Sequence, residues 1–237
     1  MVDVMLRRAR RKERTAREQM ASAARRYAAL GWPVCQGVYP GGPSGALASG
    51  RACSCDRIGC PAPGAHPVSP VWQHQASSDP AEVSQIWTAA PEANVILATG
   101  RAFDVLDIPA AAGMAALGQM ERAGTQPGPV AVSAGERVLF FVASRAAHTT
   151  QDEWWSCHLD CVPDDMDEAT GLRWPTGIRW HCRGSYVLAP PSRYGPSRNG
   201  TVQTARWIRE PEGRPLPDAV RILEHLAEGD QVEGAQP

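Results

Sequence analysis

Two hydrophobic periods follow one another along this chain. Between Arg14 and Leu30, Met20, Ala24, Tyr27 and Ala28 recur at helical spacing in a stretch without Gly or Pro, which predicts an amphipathic helix over 14–30. Gly31 ends it, and Trp32-Pro33-Val34-Cys35 opens an extended segment, because proline biases its predecessor away from helix. Asp79-Pro80-Ala81-Glu82 reads as an N-cap, a proline at the first helical position and the return partner of a capping box, predicting a helix to about Ala90. After Pro91-Glu92 the period shortens, and 94–98 and 103–107 read as strands separated by Thr99-Gly100-Arg101. A helix is expected over 110–123, and Val130–Ser133 and Arg137–Val142 flank Ala134-Gly135-Glu136 as a hairpin. Further strands are expected at 178–182, 186–189 and 206–208, with a last helix over 217–227 and a disordered tail. Segment 143–176 is polar, acidic and Trp-rich, a loop with a short helix. Hairpins mixed with crossovers predict an α+β fold around a partly antiparallel sheet.

Composition bounds this picture. A chain of 237 residues holds one core with an inserted module and tails. The expected organisation is a basic disordered arm over 1–13, a domain over 14–210, and a C-terminal helix and tail over 211–237. Seven cysteines, an odd number, come without an apolar signal-peptide core or an apolar run of membrane-spanning length. The expectation is a soluble protein of a reducing cytoplasm with no membrane partner. The net charge of −1 conceals an asymmetry: residues 1–26 carry nine basic side chains against Asp3, Glu13 and Glu18, a balance of +6, so the remainder is −7. A basic segment on an acidic body suits phosphate backbones, although a solvated helix face has the same composition.

Candidate chemistry concentrates in a Gly/Pro-rich loop at about 50–67, where Cys53, Cys55, Cys60 and His66 follow a Cys-x-Cys-x4-Cys-x5-His spacing. Three thiolates and an imidazole meet the tetrahedral demand of zinc, and turns at Gly59-Cys60-Pro61 and Pro63-Gly64 allow them to converge. A structural zinc is therefore expected; clustered reduced thiols, or a disulfide with one thiol left over, are the alternatives. Cys157, Cys161 and either His181 or Cys182 form a second set of soft donors, for which buried cysteines and a core histidine are the alternative. Trp154, Trp155, Trp174 and Trp180 lie nearby in sequence and suit either base stacking or core filling.

Several phrases then fall in a familiar order. They are Ala28-Ala29-Leu30-Gly31-Trp32-Pro33-Val34, the Cys/His loop, Trp87 before Pro91-Glu92-Ala93-Asn94-Val95, Ala98-Thr99-Gly100, Val105-Leu106-Asp107, and Tyr186-Val187-Leu188-Ala189-Pro190-Pro191-Ser192. As an ordered set over about residues 20–210, this resembles the bifunctional primase/polymerase domain of the archaeo-eukaryotic primase superfamily. The resemblance implies an RNA-recognition-like sheet with the zinc loop inserted, and a nucleotidyltransferase that uses magnesium or manganese to make or extend primers on DNA.

Family chemistry rests on carboxylates that hold two metal ions. By resemblance, Asp107 is the catalytic acid at the end of its strand, but Pro109 stands where the second acid belongs. Asp104, three residues away, points to the other face by strand alternation and is expected to be exposed. Val138 occupies the place of the family's nucleotide-contacting histidine and Gly177 that of the third acid, while Arg137, Arg179 and Arg183 remain as candidate nucleotide-binding residues. The implied protein is primase/polymerase-like, acts on DNA or nucleotides, and has an incomplete catalytic set. A non-catalytic DNA- or nucleotide-binding module and a zinc-stabilised regulatory protein with a protein partner are the rival readings.

Overall fold

No Gly or Pro interrupts the chain between Val2 and Leu30, and a single helix occupies most of that span. In chain order the elements are α1 (Val2–Ala29), β1 (Val34–Gly37), α2 (Trp72–Gln75), α3 (Pro80–Ala89), β2 (Asn94–Ala98), β3 (Asp104–Pro109), α4 (Ala110–Arg122), β4 (Val130–Ser133), β5 (Arg137–Val142), β6 (Arg179–His181), β7 (Tyr186–Leu188), β8 (Arg193–Pro196), β9 (Val202–Thr204), β10 (Arg206–Arg209) and α5 (Ala219–Glu233). The computed structural model describes residues 2–41, 52–55, 57–133, 136–144, 177–196 and 202–233. Cys157, Cys161, Trp154, Trp155 and Trp174 lie outside the described residues. The fold is mixed α+β with antiparallel sheets, and no helix among the described residues is long and apolar enough to cross a membrane. Residues divide into two compact units, 1–98 with 188–205 and 99–187 with 206–237.

In the first unit the expected stripe of α1, Met20, Ala24, Tyr27 and Ala28, is buried. The Tyr27 hydroxyl, also buried, donates to the Pro190 carbonyl at 2.5 Å. α1 packs against α3, and β1 pairs antiparallel with β2, placing Val34 opposite Leu97 and Gly37 opposite Asn94. The Asp79 side chain caps α3 by accepting from the Ala81 N–H at 2.8 Å. The capping box does not close, however. Glu82 accepts from the Ser77 hydroxyl at 2.5 Å, and the Asp79 N–H donates to Ser77 Oγ instead. A β8/β9 hairpin, Arg193 opposite Thr204, adds an element that short polar segments did not signal.

Asn94 ties three parts of this unit together. Fully buried, its amide nitrogen donates to the Gly64 carbonyl at 2.8 Å and the Arg193 carbonyl at 2.6 Å, and its oxygen accepts from the Arg193 N–H at 3.0 Å. Ser192 repeats the device against β2, accepting from the Val95 N–H at 2.8 Å and donating to its carbonyl at 3.1 Å. Gly64 is required where it stands: φ is +78°, and a Cβ would lie 2.7 Å from the Arg193 carbonyl oxygen.

The second unit is built on a five-stranded antiparallel sheet of order β10-β4-β5-β3-β6. One face carries Leu106, Ile108, Val138, Phe140 and Val142, which form a core with Leu117 and Met120 of α4 and Ile222, Leu223 and Leu226 of α5. α4 can approach closely because Gly113 faces the sheet, where a Cβ would lie 2.8 Å from that of Val138. Pro109 ends β3 and occupies the N-cap of α4. Asp104 corrects the expectation of an exposed strand residue. It is buried and accepts from Trp180 Nε1 and from Ser144 Oγ, both at 3.2 Å. Its alternation was anticipated correctly, but that face is the helix-covered one.

Asn94→Ala should cost about 2–4 kcal/mol, since it strands two buried carbonyls and one N–H that Asn94 now satisfies. Urea unfolding of the variant beside the wild type measures this. An unchanged midpoint would show that water replaces the amide without penalty.

Candidate functional site

The first cluster is the Cys/His loop. Its two ends are pinned to the strand that continues from β1: the Ser54 N–H donates to the Tyr39 carbonyl at 3.0 Å, the Val38 N–H to the His66 carbonyl at 3.0 Å, and the Val68 N–H to the Gln36 carbonyl at 3.1 Å. Between these clamps, one ligand atom from each of Cys53, Cys55, Cys60 and His66 lies within 4.8 Å of the other three. His66 Nε2 is 3.4 Å from Cys60 Sγ and 3.9 Å from Cys53 Sγ. A tetrahedral zinc with ordinary Zn–S and Zn–N bonds sets that edge at about 3.6 Å. The other ring nitrogen, Nδ1, lies 2.8 Å from the Pro67 carbonyl, which fixes it as the N–H and leaves the Nε2 lone pair facing the thiols. These four residues can hold a metal ion such as zinc.

The thiols differ in how readily they ionise. Burial raises Cys55, but hydrogen bonds from the Arg57 backbone and from the Cys53 and Cys60 thiols, with the His66 ring alongside, outweigh it and bring its pKa down to about 7. Burial, together with the Cys55 and Cys53 sulfurs, pushes Cys60 up to about 11 against a backbone hydrogen bond from Ala62. Cys35, buried away from the cluster, is pushed up to about 12 by desolvation and behaves as a small apolar core residue.

The second cluster lies on the sheet face opposite the α4/α5 core. Asp107 stands on β3, an inner strand between β5 and the edge strand β6, directly opposite Leu139 of β5 and Arg179 of β6, so it has neighbours on both sides. Asp107 is 7% exposed. Arg137, the first residue of β5, donates through Nε to Asp107 Oδ1, and through Nη2 to the Asp107 and Gly177 carbonyls at 2.7 Å each. His181, the last residue of β6, places Nε2 at 3.3 Å from Asp107 Oδ2, while its Nδ1 lies 2.8 Å from Ser185 Oγ. Both carboxylate oxygens therefore meet nitrogen donors. The other described residues on this face, traced by register, include Val105, Ala131, Leu139, Phe141 and Trp207, and no second carboxylate is among them.

Each expected site residue now has a place. Arg179 is exposed beside Asp107 by register, and Arg183 is exposed in the turn after β6, its backbone so close to Gly100 that a Cβ there would lie 2.1 Å away. Val138 does not share the Asp107 face. It pairs with Ile108 and is buried in the helix-covered core, so Arg137 is the polar residue that β5 presents beside the acid. His181, read from sequence as a candidate soft donor beside Cys157 and Cys161, which lie outside the described residues, meets Asp107. Only strand pairing reveals that contact. Trp180 packs against the core, the apolar of its two readings.

Cys60→Ser should remove most of the zinc from purified protein and lower its thermal midpoint, since a closed site loses a thiolate ligand. Zinc uptake should release protons, weaken as pH falls below about 11 because Cys60 is then protonated in the free site, and weaken more steeply below about 7, where Cys55 also takes up a proton. Competition with a chromophoric chelator across that range measures the second effect; full zinc content and stability in Cys60→Ser would refute the assignment.

No curated protein matches the chain. A family model does. Residues 24–220 match that of the bifunctional DNA primase/polymerase, N-terminal, a span containing both clusters and the Pro190-Pro191-Ser192 phrase. The order of phrases read from the sequence and this match over most of the chain agree, and the chain belongs to the bifunctional DNA primase/polymerase family.

Proposed function

We propose that this chain is a DNA primase/polymerase-like domain that binds nucleotide or DNA phosphate on the Asp107 sheet face and lacks an efficient two-metal centre. The observation that carries this is the pairing of Asp107 with Arg137 and His181 on a face with no second carboxylate among the described residues. Magnesium and manganese require several hard oxygen ligands, and two-metal nucleotidyl transfer requires carboxylates that bridge the ions. Here a guanidinium and an imidazole occupy the coordination positions of the single acid. That donor set does not fit the family's divalent pair.

It does fit an anion. Arg137 is held by three acceptors, which preorganises its fork, and Arg179 lies exposed beside it. In this reading Arg137, Arg179 and Arg183 bind phosphate oxygens. Asp107, the acid that the family would use for metal, positions Arg137. An antiparallel sheet with helices on one face is also what an RNA-recognition-like primase core would supply, with the other face for the ligand. The zinc loop is a structural insertion, since its four donors form a closed set with no open position for substrate.

Primer extension with magnesium and with manganese, wild type beside Asp107→Asn, tests the catalytic half. Loss of a single preorganised contact commonly costs about 10²–10³ in rate, so several missing contacts should leave no extension. Nucleoside triphosphate binding in the presence of EDTA tests the other half. It should persist in the wild type and weaken about tenfold or more in Arg179→Gln, as expected for a lost charged hydrogen bond. Robust extension abolished by Asp107→Asn would overturn the reading and show a working polymerase.

A further inference from the structure

The first half of α1 lies outside the span matched by the family, which begins at residue 24. Its described residues are also unlike those of a packed helix. Arg11, Arg14, Thr15, Arg17, Glu18 and Gln19 are all exposed, Ala16 is half-buried, and the first buried position is Met20. Among the described positions 11 and 14–19 no stripe is buried, so the charge pattern is what distinguishes this part of the helix.

That pattern is dense and of one sign. Between Arg7 and Arg17 stand seven basic residues and a single acid, Glu13, a balance of +6. At 1.5 Å per residue this is one net positive charge per about 2.5 Å of helix, close to the one negative charge per about 1.7 Å of duplex DNA. At 3.6 residues per turn the seven positions spread over roughly 220° of the helix circumference. Basic groups distributed so widely suit a helix with phosphates on both sides. A helix about 10–12 Å across also matches the width of the B-DNA major groove, about 12 Å. Two neighbouring acids offset part of the charge: Glu92 pairs with Arg17, and Glu18 lies 3.7 Å from Arg14. A membrane surface is a poorer match, because Ala9 and Ala16 are the sole apolar residues between Arg7 and Gln19.

We propose that the N-terminal half of α1 is a duplex-DNA docking element, a basic helix added to the family domain that seats against phosphates on both sides of a groove. This goes beyond the reading of the Asp107 face and involves none of its residues. Affinity from this helix is electrostatic and independent of sequence, and it holds the chain on DNA.

Fluorescence anisotropy of a labelled duplex, titrated with the full chain across a range of salt, provides the test. Arg7, Arg8, Arg10 and Arg11 are changed together to Gln, which keeps helix propensity, and in a second variant together to Lys, which keeps charge. The Gln variant should reduce the slope of log affinity against log salt by about 3–4 and weaken low-salt binding at least tenfold; the Lys variant should keep the slope. Zinc content and circular dichroism confirm that both variants are folded. An unchanged slope in the Gln variant overturns the assignment. Single-stranded DNA of equal length bound as tightly as the duplex overturns the groove-seated geometry, and preferential binding to phosphatidylserine vesicles overturns the choice of DNA. Nucleotide binding in EDTA should be unchanged in the Gln variant, so failure here and failure of the sheet-face reading are separate results.

Discussion

The interaction on which the Asp107 face depends is the pairing of that carboxylate with Arg137. Burying a carboxylate in the middle of a sheet costs several kcal/mol unless partners replace the lost water. β3 makes those partners available because it lies between β5 and β6, which deliver Arg137 and His181 to the two oxygens. The guanidinium is tied further by the carbonyls of Asp107 and Gly177. Such a network is weak evidence for stability, since an apolar replacement of similar shape often serves as well. What it does is set the chemical character of the face. The acid is paired with Arg137 and His181, and among the described residues the exposed side chain beside it on β6 is the cationic Arg179.

The Cys/His loop rests on a different logic. Its clamps to the segment that continues from β1 are backbone–backbone hydrogen bonds, and the bonds to the Gly64 and Arg193 carbonyls come from the buried Asn94 amide. They hold both ends of the segment that carries the four donors, one ligand atom of each lying within 4.8 Å of the others. A metal ion held there would add its binding energy to the stability of the unit. The Pro190-Pro191-Ser192 phrase is part of the same arrangement, through the Tyr27 bond to Pro190 and the bonds of Ser192 to Val95. Two of the most recognisable phrases in the chain are thus packing devices for one small sheet.

Legibility followed the range of the forces involved. The hairpin Val130–Ser133 and Arg137–Val142, the helix after Pro109 and the Asp79 cap were readable because turn chemistry, period and capping act within a few residues. The Cys/His loop was readable because its four donors and its turns lie within one short segment. Where the reading was wrong, longer-range structure had intervened. Glu82 found Ser77 rather than the backbone of Asp79. Asp104 was placed on the correct side of its strand, but alternation does not say which side of a sheet the helices will cover. Val138 fell one residue out of phase with the Asp107 face, and a slip of one residue reverses a strand's two faces.

By itself, the sequence determined the mixed α+β class, the positions of most helices and strands, the clustering of Cys53, Cys55, Cys60 and His66 into a set that can hold a metal, and the family, because each is encoded by local pattern or by residue order. Tertiary structure alone decided what surrounds Asp107. The register of β5 and β6 against β3 chose Arg137 and His181 as its partners and sent Val138 to the core, and register is a property of strands that are 30 and 74 residues apart at those contacts. No local preference reaches across such separations; only the burial of one sheet face against α4 and α5 does, and that selects which side chains are left to meet on the other.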